Sequence, residues 1–180
     1  VHVIAQIPPC RTPYLDLSTG RNHEANQSYL FNETDPFWQI SNGPLLYAPY
    51  PHCAVSTGTS QGAFFGNSRA LTLQNIPLSG NMIPSVNACN YTDQPYLFER
   101  QIELYTGFND PAMEVHLIVD YITANYALSS VVLSGPGGPF ILFPGCVENQ
   151  VVSLSNTTLM LHSGHYTLQV LVGNEWGINY

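Results

Sequence analysis

Chemistry in this chain has to come from six histidines, twelve acids, four cysteines and four arginines, and their spacing decides what they can do. His162 and His165 flank Ser163-Gly164. Two imidazoles this close are the start of a zinc site, but no carboxylate or cysteine of suitable spacing stands beside them. They read as histidines of a hairpin turn in water. Glu99 and Glu103 fall on one strand face, whereas a glycosidase sets its two carboxylates across a cleft. Serine is plentiful, yet no Gly-x-Ser-x-Gly elbow frames a nucleophile. Asp16, Asp35 and Asp110 offer oxygens for calcium without the spacing of an EF-hand loop. The expectation is a protein that is not an enzyme and holds no metal and no cofactor.

Arg100 is the most informative single side chain. Its register puts it on the same face as Phe98 and Ile102, and a charge on a buried face must be paired. Asp35 and Asp120 are the acids at hand for an ion pair, and a tyrosine or tryptophan ring would serve for stacking. A structural role of this kind is favoured over ligand binding. The cysteines, Cys10, Cys53, Cys89 and Cys146, are even in number and far apart, with no Cys-x-x-Cys pair. Two structural disulfides follow, with three connectivities open, of which Cys10 with Cys53 and Cys89 with Cys146 is preferred.

Composition removes whole classes of partner. Twelve acidic residues face four basic ones, all arginine, for a net charge of −8 over 180 residues. Such a surface repels phosphate backbones and has no cationic stripe, which excludes nucleic acid and anionic membrane surfaces. No apolar run reaches the length of a membrane span, so no membrane insertion is expected. Only 9% of residues are charged, so something else must hydrate the surface. Four Asn-x-Ser/Thr sequons, at Asn26, Asn32, Asn90 and Asn156, suggest glycans, and each lies beside turn-type residues. With four cysteines and no lysine, a secreted or cell-surface glycoprotein is the better reading. A chain opening on Val1, without methionine, is expected of a mature product whose leader has been cleaved.

The elements that must position these groups are strands. From Tyr96 to Leu104, Tyr96, Phe98, Ile102 and Leu104 alternate with Glu99, Gln101 and Glu103. From Met113 onward, Met113, Val115, Leu117 and Val119 alternate with Glu114, His116 and Asp120. Period two is the mark of a half-buried strand, and two such strands joined by a short polar turn need a second sheet over their apolar face. Thr34–Ile40, Ala70–Ile76, Leu128–Leu133, Phe140–Phe143, Gln150–Ser155, Leu159–Leu161 and Tyr166–Val172 supply further short strands between turn clusters. No run carries a helical period. The expected fold is all-β, an antiparallel two-sheet β-sandwich with an N-terminal extended strand or arm. Residues 1–33 would be that strand and a glycosylated loop, with at most one short strand near Tyr29, and residues 34–180 the sandwich.

The order TDPFW, YLFERQIEL, VVLSG and HSGHYTLQVLVGN resembles the galactose-binding-like jelly-roll sandwiches of secreted and surface proteins, over roughly Thr34 to Asn174. Tyr96, Arg100 and Ile102 match that group's aromatic and arginine strand, Leu133-Ser134-Gly135 its turn, and Gly164 and Leu168 its closing strand. Ser134 and Tyr166 stand where the group usually has asparagine. The resemblance implies a jelly roll and favours carbohydrate binding.

Two functions emerge. Val1 to Ile7, with Val1, Val3, Ile4 and Ile7 as its apolar residues, is a strand-like run cut off by Pro8-Pro9, which cannot continue a ladder. Such a run would add to an open sheet edge of a neighbouring copy, and a head-to-tail contact of that kind propagates into an extracellular filament. The alternative is a carbohydrate-binding module, in which Trp38, Tyr47 and Tyr50 in and beside a proline-stiffened loop stack on sugar rings, against the plainer reading that they cap the core. Copies of the chain itself are thus the first expected partner and glycans the second.

Overall fold

The computed structural model describes residues 17, 19–22, 27–30, 32–43, 48–56, 71–73, 95–105, 112–123, 127–148 and 151–172. Every element among them is a strand, and none of these residues is helical. In chain order they are β1 (Arg21–Asn22), β2 (Gln27–Ser28), β3 (Thr34–Asn42), β4 (His52–Ser56), β5 (Leu71–Leu73) and β6 (Tyr96–Leu104). Then follow β7 (Met113–Thr123), β8 (Ala127–Ser134), β9 (Phe140–Phe143), β10 (Val147–Glu148), β11 (Val151–Leu161) and β12 (Gly164–Val172).

Eight strands form one antiparallel sheet in the order β10-β8-β12-β6-β3-β4-β5, with β9 also pairing β8. At its centre β12 and β6 run in unbroken register from Gly164↔Leu104 to Val172↔Tyr96. The alternation in the sequence is the cause. Tyr96 and Arg100 of β6 and Tyr166 and Leu168 of β12 are buried on one face, while Gln101, Glu103 and His165 on the other are exposed. A second, two-stranded sheet pairs β7 with β11, and β1 with β2 make a small hairpin. The two larger sheets meet in one core, because Leu161 of β11 is buried in the same cluster as Trp38, Ile40, Tyr96, Val131, Leu133, Tyr166 and Leu168. Val115 of β7 and Val152 and Leu159 of β11 pack against that cluster.

Three expectations need correction. β6 and β7, read as neighbours sharing one apolar face, lie in different sheets, since β6 has β12 on one side and β3 on the other and has no edge left for β7. Likewise His162-Ser163 is not a hairpin turn. It carries the chain from β11 in the small sheet to β12 in the large one. Gln150–Ser155 and Leu159–Leu161 were expected as separate strands; Val151–Ser155 and Leu159–Leu161 lie on one continuous strand, β11, and Gln150 lies outside the described residues.

Tyr166 locks that crossing. It is 1% exposed, and its hydroxyl accepts from His162 N–H at 3.1 Å, with the His162 and Pro136 carbonyls at 2.9 and 3.3 Å as acceptors for its own proton. The ring lies so close over Gly135 that a Cβ there would overlap it. Gly164 begins β12 at φ 151°, and a Cβ there would sit 2.6 Å from Pro136 Cγ. Glycine is the residue that accepts this backbone and this approach.

Asp35 ties the segment before β3 to the sheet. Its side chain is 1% exposed and accepts from Gly20 N–H at 2.8 Å and Phe37 N–H at 3.0 Å. Tyr29 N–H in turn bonds Gly20 O at 2.9 Å, and Leu17 packs against the core. Two short strands occupy this region where at most one was expected. Asp35→Ala would leave both N–H groups without this acceptor and is expected to destabilise the fold by roughly 2 to 4 kcal/mol. The check is a lower urea midpoint at unchanged slope.

Candidate functional site

Among the described residues, the small sheet holds the long strands that lack a ladder partner on one side. Met113, Val115 and Leu117 of β7 and Leu159 and Leu161 of β11 turn inward, while Glu114, His116, Thr158 and Met160 are exposed. Register runs from Val151↔Thr123 to Leu161↔Met113, with two irregularities. Between Val152 and Leu154 the extra residue is on β7, and between Leu154 and Thr157 it is on β11, so the two offsets cancel. Among the described residues β7 and β11 pair only with each other. Each is 11 residues long and so has one long side without a ladder partner among them. The large sheet ends differently: its outer strands β5, β9 and β10 have three, four and two residues. Short edge strands are how sheets avoid accidental pairing, and long ones invite it.

On the outer face of this sheet Glu114 Oε1 lies 3.0 Å from His116 Nε2, and Thr158 Oγ1 lies 3.2 Å from His116 Nδ1. With Nε2–H donating to Glu114, Nδ1 accepts from the Thr158 hydroxyl. The order hydroxyl, imidazole, carboxylate is that of a nucleophile relay. However, the His116 and Glu114 side chains are 60% and 58% exposed, and acyl transfer depends on a water-excluded site. This trio is a surface hydrogen-bond chain that braces β7 against β11.

Two of the four sequons fall on described residues. Asn32, Glu33 and Thr34 are all exposed, with Asn32 at φ 61°. Their turn is held by Glu33 N–H to Leu30 O at 3.1 Å and by Leu30 N–H to Glu33 Oε2 at 2.7 Å. Asn156 falls within the β11 irregularity, two residues before exposed Thr158. Asn26 and Asn90 lie outside the described residues, as do Val1, Val3, Ile4 and Ile7.

No bridge joins two described cysteines. Cys53 is free and exposed on β4, which corrects the expected Cys10–Cys53 pair: a strand between β3 and β5 turns its thiol to solvent. Cys146 is disulfide-bonded to a cysteine outside the described residues, where Cys10 and Cys89 both lie.

The aromatic residues weighed as a sugar platform are not gathered into one. Trp38 is 5% exposed in the middle of the core, so both ring faces are covered. Tyr50 is half-buried, packs against the core and meets His52 edge-on at 4.9 Å. Tyr47 lies outside the described residues. Arg100 is 4% exposed on the same inner face, and its guanidinium carbon stands 4.9 Å over the Phe37 ring, a stacking of the expected kind on a different aromatic.

Sequence reasoning missed a polar ladder across the outer face of the large sheet. Gln39 Nε2 and Gln169 Nε2 both donate to Glu99, at 3.4 and 2.7 Å, and Ser134 Oγ donates to Gln169 Oε1 at 3.0 Å. Thr167 Oγ1 donates to Gln101 Oε1 at 3.0 Å beside it. Each residue is polar at a period-two position, which was the visible signal. The strand order that joins four strands through one carboxylate was not. Among the described residues no group of three or more histidine, cysteine or acidic side chains is placed to hold a metal ion, and no helix is long and apolar enough to cross a membrane. Comparison with known proteins found no matching family model, no matching curated protein and no matching solved structure.

Proposed function

We propose that this chain is a secreted, N-glycosylated β-sandwich subunit of jelly-roll type that assembles with copies of itself into an extracellular filament or surface structure. The apolar run Val1 to Ile7 of one copy adds as a strand to the small sheet of the next. The observation that carries the reading is the contrast in edges among the described residues: 11-residue strands without a ladder partner on one side in the small sheet, against outer strands of two to four residues in the large one. Strand addition supplies backbone hydrogen bonds and needs no charged interface, which suits a chain with four basic residues. The exposed sequon at Asn32 and the bonded Cys146 support an oxidising, glycosylating route. Burial of Trp38 weighs against the sugar-binding alternative.

The test is mass photometry with negative-stain microscopy on glycosylated protein. The full chain is expected to give polymers of one repeating unit, and the chain lacking Val1 to Ile7 soluble monomers. A polymer that survives the deletion, or a full chain that stays monomeric at all concentrations, rejects the proposal.

A further inference from the structure

Asn42 and Gly43 are the one Asn-Gly pair in the sequence, and they close β3 at its exposed end. Asn42 is exposed, and Gly43 N–H donates to the side-chain oxygen of Asn42 itself at 2.9 Å. That contact holds the backbone nitrogen of Gly43 beside the carboxamide carbon, because Oδ1 is bonded directly to Cγ. With no side chain on Gly43, nothing of its own screens this approach.

We propose that Asn42 is a built-in deamidation site whose conversion ages this end of β3. Hydroxide removes the Gly43 amide proton and the nitrogen attacks Asn42 Cγ. The C–N bond to the side-chain amide breaks, ammonia leaves with a proton from water, and a five-membered succinimide remains. Water then opens the ring at either carbonyl to give aspartate or isoaspartate. The sum is one asparagine and one water to one acid and one ammonia, with no oxidant, reductant or further reactant. The structure states the consequence as well. Gly43 is buried so tightly that a Cβ on it would overlap the Tyr50 hydroxyl and stand 2.8 Å from Tyr96 Cδ1. Isoaspartate at position 42 puts an extra carbon into the main chain immediately before that contact. The Asn42↔Leu97 pairing and the Ser41 hydroxyl bond to Leu97 O at 3.4 Å, which fasten β3 to β6 here, loosen with it.

The experiment incubates the folded, full-length protein at neutral and mildly alkaline pH, with a parallel sample in urea, and maps peptides by mass spectrometry. Expected is the mass gain of exchanging an amide NH2 for OH at position 42, as two chromatographically separate products. The rate should rise in proportion to hydroxide and be no slower in the folded protein than in urea. Asn42→Gln, which would need a six-membered ring, is expected to lose the signal in the same peptide. An Asn42 that stays intact in the folded protein while converting in urea overturns the proposal. So does conversion confined to other asparagines. Neither result depends on whether the chain assembles.

Discussion

Tyr166→Ala is expected to destabilise the protein by about 3 to 5 kcal/mol, the range for truncating a large buried aromatic. The ring is fully enclosed, and its removal opens a void between Gly135 and the crossing from β11 to β12. The hydroxyl adds a separable part. Tyr166→Phe keeps the ring but takes the acceptor from His162 N–H and the donor from the Pro136 and His162 carbonyls, for an expected loss of about 1 to 3 kcal/mol. Urea titration of both variants reads the two contributions, with the difference assigned to the ring. A phenylalanine variant as stable as the parent would mean that the hydroxyl merely replaces water.

Trp38→Ala is expected to cost about as much, 3 to 5 kcal/mol, because the indole sits in the centre of the shared core. Trp38→Phe is expected to cost far less than that. The indole Nε1 is buried without a hydrogen-bond partner among the described residues, and removing a buried donor of that kind returns about 1 to 3 kcal/mol against the lost volume. The contrast also bears on sugar binding. An alanine variant that no longer binds a glycan would only report unfolding, so the phenylalanine variant, folded by thermal melt, is the one to place on a glycan array. A Trp38→Phe loss larger than the lost ring volume accounts for would show that the indole N–H has a partner.

Assembly should respond to different residues from stability. The Tyr166 and Trp38 variants act on the core, whereas the deletion of Val1 to Ile7 removes none of the described core residues. A filament lost in the deletion and kept in Tyr166→Phe would separate the edge from the fold.

Much of the fold was legible because alternation is a local property. Tyr96 to Leu104 announces which side of β6 is buried whatever stands next to it, and so does Tyr166 to Val172 for β12. Phe140–Phe143 was read at its observed bounds for the same reason. Arg100 was legible too, since its register on an apolar face required burial with a stacking or pairing group. Pairing was not legible. Nothing in the residues of β6 and β7 says that they belong to different sheets, because a side chain's face is decided within its strand and its neighbour is decided by the whole chain. The same gap explains Cys53, whose parity in number suggested a bridge that its place on β4 does not make.

By itself the amino-acid sequence determined an all-β chain, its low charge, its sequons, its buried faces and the absence of a nucleophile frame, all of which depend on residue type and near spacing. Tertiary structure alone decided that Trp38 is core rather than platform and that Glu99 gathers amides from two neighbouring strands. It alone left β7 and β11 each with a long side that has no ladder partner among the described residues. Those are matters of which strands lie side by side, and strand order is chosen by burying the apolar faces of all strands at once, which no single stretch of residues encodes.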